Sequence, residues 1–272
     1  MQFAINYSPQ AAELLKAGKI QIDKFKCPNW PHLIAEAAPL APVAVHFDLS
    51  AGSGRLDELT DWKTIEALCQ QTNTPHVNVH LDPKLKDYPG LVVDDPTPAE
   101  EEQITIALAA DLQNLARRFG AQNVIAENVP YEGRRGHVIR TAADPEVIRQ
   151  VIEAAGIGLL LDISHASISA GHLGMAEQEY FARLPLRQTR ELHFAGIEVI
   201  EGRRVDHLAV QPADWERLDW ALDQIRAGGW GQPWMLAFEY GGIGPHFDWR
   251  SKAEVIEAQV PQLYARVSRM EL

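Results

Sequence analysis

Apolar residues in this chain fall into short runs separated by longer amphipathic stretches. The runs at Phe3–Tyr7, Ile20–Phe25, Val43–Phe47, Val77–Leu81, Val124–Val129, Gly158–Ile163, Glu191–Phe194 and Met235–Tyr240 read as strands. Helical patterns lie between and after them, near Gln10–Ala17, Pro31–Ala37, Leu59–Gln71, Ala99–Phe119, Pro145–Ala155, Met175–Leu184, Ala213–Ala227 and Lys252–Arg269. Ile104, Leu108, Leu112 and Leu115 recur at intervals of three and four, which marks one face of a helix. Gly158-Leu159-Leu160-Leu161 is a continuous apolar run, as expected of a parallel strand buried on both faces. Strands alternating with helices predict a parallel sheet with right-handed crossovers. Eight such units predict an α/β fold closed into a (β/α)8 TIM barrel, one domain over 1–272. Neither a Gly-x-Gly-x-x-Gly after the first strand nor a Walker loop occurs, which counts against an open nucleotide-binding sheet. The segments Asp48–Glu58, Asp82–Ala99, Pro130–Asp144 and Ala195–Gln211 are then long βα loops, and such loops build the active face of a barrel.

Composition narrows the function. The chain has 272 residues, 46% hydrophobic and 23% charged, which excludes a disordered or fibrous protein. Thirty-seven acids against 25 bases give a net charge of −12, a field that repels nucleic acid and disfavours a duplex partner. No apolar run is long enough to span a bilayer. The start, Met1-Gln2-Phe3-Ala4-Ile5, lacks the basic residues and cleavage site of a signal peptide. Cys27 and Cys69 are too few for a disulfide framework or a thiolate metal site, so a reduced cytoplasmic setting is expected. Composition leaves the oligomeric state open.

The chemistry lies in what ends each strand. His46, His80, Glu127, Asp162, His193 and Glu239 stand at or near the ends of six apolar runs; His165 follows Asp162, and Asp206 and His207 lie in the loop after strand seven. Strand ends in a barrel converge on one mouth. Several buried carboxylates repel one another unless protons or cations intervene. Imidazole and carboxylate ligands suit iron, zinc and manganese, so a metal cluster is the expected solution. Taken singly, a histidine at a strand end is more often a hydrogen-bonded structural residue, and Asp162 or Asn128 could simply cap a helix. Their joint occurrence favours metal.

Weaker candidates stand apart. Lys24 and Lys26 close the second predicted strand and could hold an anionic group of a substrate. Arg134, Arg135 and His137 lie in a glycine-flanked loop that could grip a carboxylate or phosphate, and Arg203 and Arg204 could do the same beside Asp206. His32, His76, His172 and His246 show no convergent placement and read as structural; Trp62, Trp215, Trp220 and Trp234 read as core. Cys27 has basic neighbours but no positioned base, which counts against nucleophilic catalysis.

With these residues in view the chain resembles the xylose-isomerase-like barrels: sugar epimerases, endonuclease IV-type enzymes and the multinuclear non-heme iron oxidative enzymes. Glu127, Asp162, His193 and Glu239 match in order the four-ligand set of the epimerases. Leu161-Asp162-Ile163-Ser164-His165 resembles the Asp-x-x-His element of the endonucleases, and His46 and His80 match the extra histidines of trinuclear members. Three segments look specifically like the iron group: Ala126-Glu127-Asn128-Val129, Gly158–Asp162, and Tyr180–Leu186 leading to Glu191-Leu192-His193-Phe194-Ala195-Gly196. The chain departs from that group in carrying Ser164 and His165 where an asparagine ligand is usual. Asp206 and His207 are adjacent, where the group spaces them Asp-x-His. The resemblance implies two or three divalent metals, iron first, with zinc or manganese as alternatives. It implies oxidative chemistry on a small polar or peptide-derived substrate, with Glu127, Glu239 and His193 central to catalysis. The other readings are an isomerase or epimerase using Glu127 and Glu239 as acid and base, a phosphodiesterase with a metal-held hydroxide, and a non-catalytic metal-dependent binding module.

Overall fold

Every predicted apolar run contributes to one curled parallel sheet in the computed structural model, which describes residues 1–244 and 247–270. In chain order the elements are β1 (Gln2–Asn6), α1 (Pro9–Lys16), β2 (Lys24–Pro28), α2 (Pro31–Ala37), β3 (Val43–His46), β4 (Ser50–Ala51), α3 (Leu56–Leu59), α4 (Trp62–Thr72), β5 (Val77–Leu81), α5 (Pro98–Phe119) and β6 (Val124–Glu127). Then follow α6 (Arg140–Ala143), α7 (Pro145–Ala155), β7 (Gly158–Asp162), α8 (Ile163–His172), α9 (Glu177–Arg183), β8 (Thr189–Phe194), β9 (Gly196–Ile200), β10 (Arg203–Leu208), α10 (Pro212–Arg226), β11 (Met235–Phe238) and α11 (Ala253–Ser268). Among the described residues no helix is long and apolar enough to cross a membrane. His246 lies outside the described residues.

The strand order is β3-β2-β1-β11-β8-β7-β6-β5-β4. A ladder closed all the way round was expected; the backbone ladder instead ends at β3 on one side and at β4 on the other. Only Phe47–Leu49 separate these two strands along the chain, and the seam between β3 and β5 is sewn differently. The Asn78 side chain accepts from Phe47 N at 2.7 Å and donates to Phe47 O at 3.1 Å, and His80 N donates to Leu49 O at 2.8 Å. The seam therefore carries the pairing of one amide side chain where a regular strand pair would repeat backbone bonds.

Alternation along the strands sorts residues onto two faces. Val77, Val79, Leu159, Leu161, Leu192, Phe194, Leu236 and Phe238 join the large core between sheet and helices. Their neighbours point inward; Ala4, Ala44, Met235 and Ala237 form a separate small cluster there. Helix α5 presents Ile104, Leu108, Leu112 and Leu115 to the sheet as its periodicity predicted. Thr97 and Glu100 cap its start reciprocally, with Pro98 at the first turn. Asp111, buried on the same helix, accepts from the backbone N–H of Gly52, Gly54 and Leu56 at 2.8–3.0 Å and so fixes the loop after β4.

Three expectations are corrected. The second strand begins at Lys24, not Ile20, because Asp23 binds both ends of the Phe3 peptide (Phe3 N to Asp23 Oδ2 2.7 Å, Asp23 N to Phe3 O 2.9 Å) and pairing with β1 starts only after it. Lys24 thus opens β2 at the end away from the mouth, and Lys26 lies within the strand rather than closing it. The chain after Asp162 is helical at once, as α8, with Asp162 as its cap (His165 N to Asp162 Oδ1, 2.7 Å). The long connection at Ala195–Gln211 holds a β9–β10 hairpin.

Candidate metal centre

His46, His80, Glu127, Asp162, His165, His193, Asp206, His207 and Glu239 meet at the mouth, as sequence reasoning expected. Their donor atoms fall into four groups, each lying within 4.8 Å: three that share members (Glu127, Asp162, His193 and Glu239; His46, His80 and Glu127; His46, His193 and Glu239) and a separate one of His165, Asp206 and His207. Glu127, almost wholly buried, faces two ways. Its Oε1 is 3.3 Å from His193 Nδ1, and its Oε2 is 3.4 Å from His80 Nε2 and 3.7 Å from His46 Nε2. His193 Nδ1 also lies 3.1 Å from Glu239 Oε1. Among the described residues, buried Glu127 Oε2, His193 Nδ1 and His207 Nδ1 have no hydrogen-bond partner. Unpaired buried polar atoms are costly, and a cation among them would satisfy the first two.

The histidines are oriented from behind. His80 Nδ1 donates to Leu49 O at 3.0 Å, and His165 Nδ1 to Asn128 O at 2.9 Å, which leaves each Nε2 facing the mouth. His193 is held the other way round, through Nε2 to Glu191 Oε1 at 3.0 Å, with Nδ1 inward. Metal-binding histidines characteristically tie their second nitrogen to a carbonyl or carboxylate in this manner. Asn128 also clasps the Asp162 peptide (2.9 and 3.0 Å) and so fixes β6 against β7 beside the site.

The adjacency of Asp206 and His207 is resolved by a bulge. Neighbouring residues on a regular strand face opposite ways, but the β9–β10 register slips between Val205 and Leu208, and His207 has φ of 56°. A non-glycine residue in that region is strained, and such strain gathers at functional sites. The slip turns both side chains to the mouth: Asp206 Oδ2 is 2.8 Å from His165 Nε2, and His207 Nε2 is 3.9 Å from Glu239 Oε2.

Electrostatics follow from this crowding. Burial works to raise the Glu127 carboxyl, but His193, His80 and His46 outweigh it and hold it well below its usual range. Asp162 is pushed up to about 6 by burial, with Glu239 and Glu127 adding and His165 opposing. Burial would lower His193, yet Glu239 and Glu127 raise it to about 10. His165 is raised well above its usual value against burial by Asp162 and Asp206. His46 is driven well down by burial, with Glu127 opposing. In effect protons on His193 and His165 stand where cations would balance the same carboxylates.

Above these groups lies a cavity of about 330 Å³. One wall is His46, His80, Glu127, His165, His207 and Glu239; the other is largely apolar, with Tyr7, Trp30, Leu33, Ile243 and Phe247.

Of the weaker candidates only Lys26 lines the cavity. Arg134 is exposed and paired with Asp94 at 2.6 Å, Arg135 and His137 are exposed, Arg203 pairs with Glu132, and Arg204 bonds Ser167; none lines the cavity. Lys24 lies by Trp234, 5.9 Å from the ring centre. Lys26 is buried and bonded to Glu191 beneath the mouth, so its charge does not await an anion there. Sequence reasoning missed Glu191 and Asn78. The signal was the period of two, which puts Glu191 on the face of His193 and Asn78 on the face of His80.

The model of a family described as RiPP precursor modification enzyme MbnB/TglH/ChrH matches residues 25–228, and the chain belongs to that family. A UPF0276 protein of Caulobacter vibrioides is 26% identical over 236 residues, 84% of this chain and 79% of that one. A UPF0276 protein of Paraburkholderia phytofirmans is 41% identical over a stretch of 56 residues, 21% of this chain and only 18% of its own length. Among solved structures, D-psicose 3-epimerase from Clostridium cellulolyticum H10 superposes with a TM-score of 0.58 at 12% identity, covering 99% of this chain and 98% of that one. An AP endonuclease of family 2 from Brucella melitensis gives 0.53 at 15% identity, covering 96% and 98%. These likenesses establish the fold as an α/β TIM barrel.

Proposed function

We propose that this chain, acting as one unit over 1–272 with the barrel closed between β3 and β5 through Asn78, is a multinuclear metal-dependent enzyme. It would modify a peptide-derived or small polar substrate by oxidative non-heme iron chemistry in the reduced cytoplasm. The observation that carries this reading is the two-faced Glu127 carboxylate. One oxygen belongs to the His193 side and the other to the His46–His80 side, so it can bridge two cations within the overlapping donor groups. Glu127, Asp162, His193 and Glu239 would hold one metal; His46 and His80 with Glu127 a second; and His165, Asp206 and His207 a third. The all-imidazole and carboxylate donor set fits iron, and zinc or manganese would be held by the same atoms.

Bound iron would supply redox chemistry and an open position for a substrate atom. The protein's own part is positioning. A cavity of about 330 Å³ is at the small end of ligand sites, enough for one side chain with its flanking backbone. Trp30, Leu33, Ile243 and Phe247 would hold its apolar part and exclude water, while Glu239 and His207 face the reacting end. A net charge of −12 fits such a substrate better than a nucleic-acid backbone.

One observation favours a second reading, an isomerase or epimerase: Glu127 and Glu239 both flank His193 Nδ1, as an acid and a base on either side of a bound carbonyl compound would. The added donors on β3, β5 and β10 exceed what that chemistry needs. Chelation tests the metal itself. Removing metal should lower Tm, and adding Fe(II) back should restore it by mass action; an unchanged melting curve after verified removal contradicts the proposal.

A further inference from the structure

Beneath the mouth runs a second polar arrangement that the metal reading does not use. Glu191, on the inward face of β8, is 2% exposed, and Lys26, on β2, is 3% exposed. The Lys26 ammonium and the His193 Nε2–H both donate to Glu191 Oε1, and Trp234 Nε1 donates to Oε2 at 3.0 Å. Two strands, β1 and β11, separate β2 from β8, so this contact crosses the inside of the barrel. The inward residues of those two strands include Ala4 and Ala237, whose short side chains leave the axis open for a lysine stem.

Two facts say that this pair does more than fill space. First, replacing a buried ion pair by apolar residues of similar volume is often neutral or stabilising, so stability alone does not account for it. Second, its outcome is specific. A neutral imidazole carries one N–H. Glu191, itself immobilised by Lys26 and Trp234, requires that N–H on Nε2. The lone pair then falls on Nδ1, 3.3 Å from Glu127 and 3.1 Å from Glu239. The opposite tautomer would set two lone-pair atoms together at Glu191 and turn an N–H toward the carboxylates, where it could not ligate.

We propose that Lys26 and Glu191 are positioning residues of the metal centre: a buried strut that fixes the His193 tautomer and so makes Nδ1 its metal-binding atom. This rests on the metal reading above.

Zinc serves as a diamagnetic probe. The full chain is loaded with Zn(II), the nitrogen of His193 that carries the metal is read from imidazole ¹⁵N shifts, and Zn(II) affinity is measured by competition with a chelator. Wild type should show Nδ1 metallated and Nε2 protonated. The apolar pair Lys26→Met with Glu191→Leu should keep its circular dichroism but lose about 10–100-fold in affinity, the usual effect of removing a partner behind a ligand. Glu191→Gln, which keeps an acceptor for Nε2–H, should recover most of it. Full wild-type affinity with Nδ1 still metallated in the apolar pair would overturn the inference. Zinc on Nε2 in wild type would overturn it whether or not any variant folds. Wild type that binds no zinc, iron or manganese overturns the metal reading itself, and this with it, whereas loss confined to the variants leaves that reading standing.

Discussion

The two faces of the sheet follow opposite rules. Outward residues such as Leu159, Leu161, Leu192 and Phe194 are fully buried, apolar and packed under the helices. Their inward neighbours Asp162, Glu191 and His193 are just as buried, yet each carries or can carry a charge. Burial is thus no guide to role in this molecule. Outward burial removes apolar area from water and stabilises the fold. Inward burial desolvates ionisable groups, which opposes folding unless neighbours or cations compensate. A fold that accepts such a cost along one face and none along the other has given that face to function, as proteins do at their sites.

Changes on each face should separate stability from metal content. The largest stability effect should come from outside: Leu159→Ala should cost about 2–5 kcal/mol, read by chemical denaturation, while metal per folded chain stays at the wild-type value. If Leu159→Ala lost metal in step with stability, the two faces would not be independent. On the inside, His46→Ala combined with His80→Ala should leave the melting temperature of metal-free protein within a few degrees of wild type, since both rings are partly open to the cavity. The same pair should drop metal by about one per chain, the cation assigned to His46 and His80 with Glu127, and leave the four-donor group loaded. Full metal content in that double variant would return the single-metal isomerase reading to the lead.

A smaller effect follows from protons. His193 is raised to about 10 and His165 well above its usual value in the metal-free protein, so at neutral pH both bind a proton that metal must displace. Apparent metal affinity should therefore rise with pH between 6 and 8, about tenfold per unit for each proton displaced. Affinity flat across that range would mean that neither ring is a ligand.

Much of this was legible in the chain because strand ends are marked by an abrupt change from apolar to ionisable residues. Val77-Asn78-Val79-His80 and Val124-Ile125-Ala126-Glu127 give both the strand and its candidate ligand at once. What stayed hidden depended on contacts remote in sequence. Lys26 read as a holder for a substrate anion because nothing near it shows Glu191, 165 residues away. The start of β2 was misplaced because Asp23 is held by Phe3, not by its own neighbours. The adjacency of Asp206 and His207 stood out as a departure from the Asp-x-His spacing, because neighbours on a strand face opposite ways, and only the bulge at Val205–Leu208 undoes that. Helix α8 was missed because its residues, from Ile163 through Ala170, are buried all round and show no amphipathic period.

The central claim is that several cations share one mouth through Glu127. The most direct test is the metal content of the full chain, expressed in iron-supplemented medium and purified without oxygen, measured as metal per polypeptide. The account predicts two or three irons per chain, falling in Glu127→Ala to at most the one assigned to His165, Asp206 and His207. A single metal per chain, or a content that Glu127→Ala leaves unchanged, would contradict it.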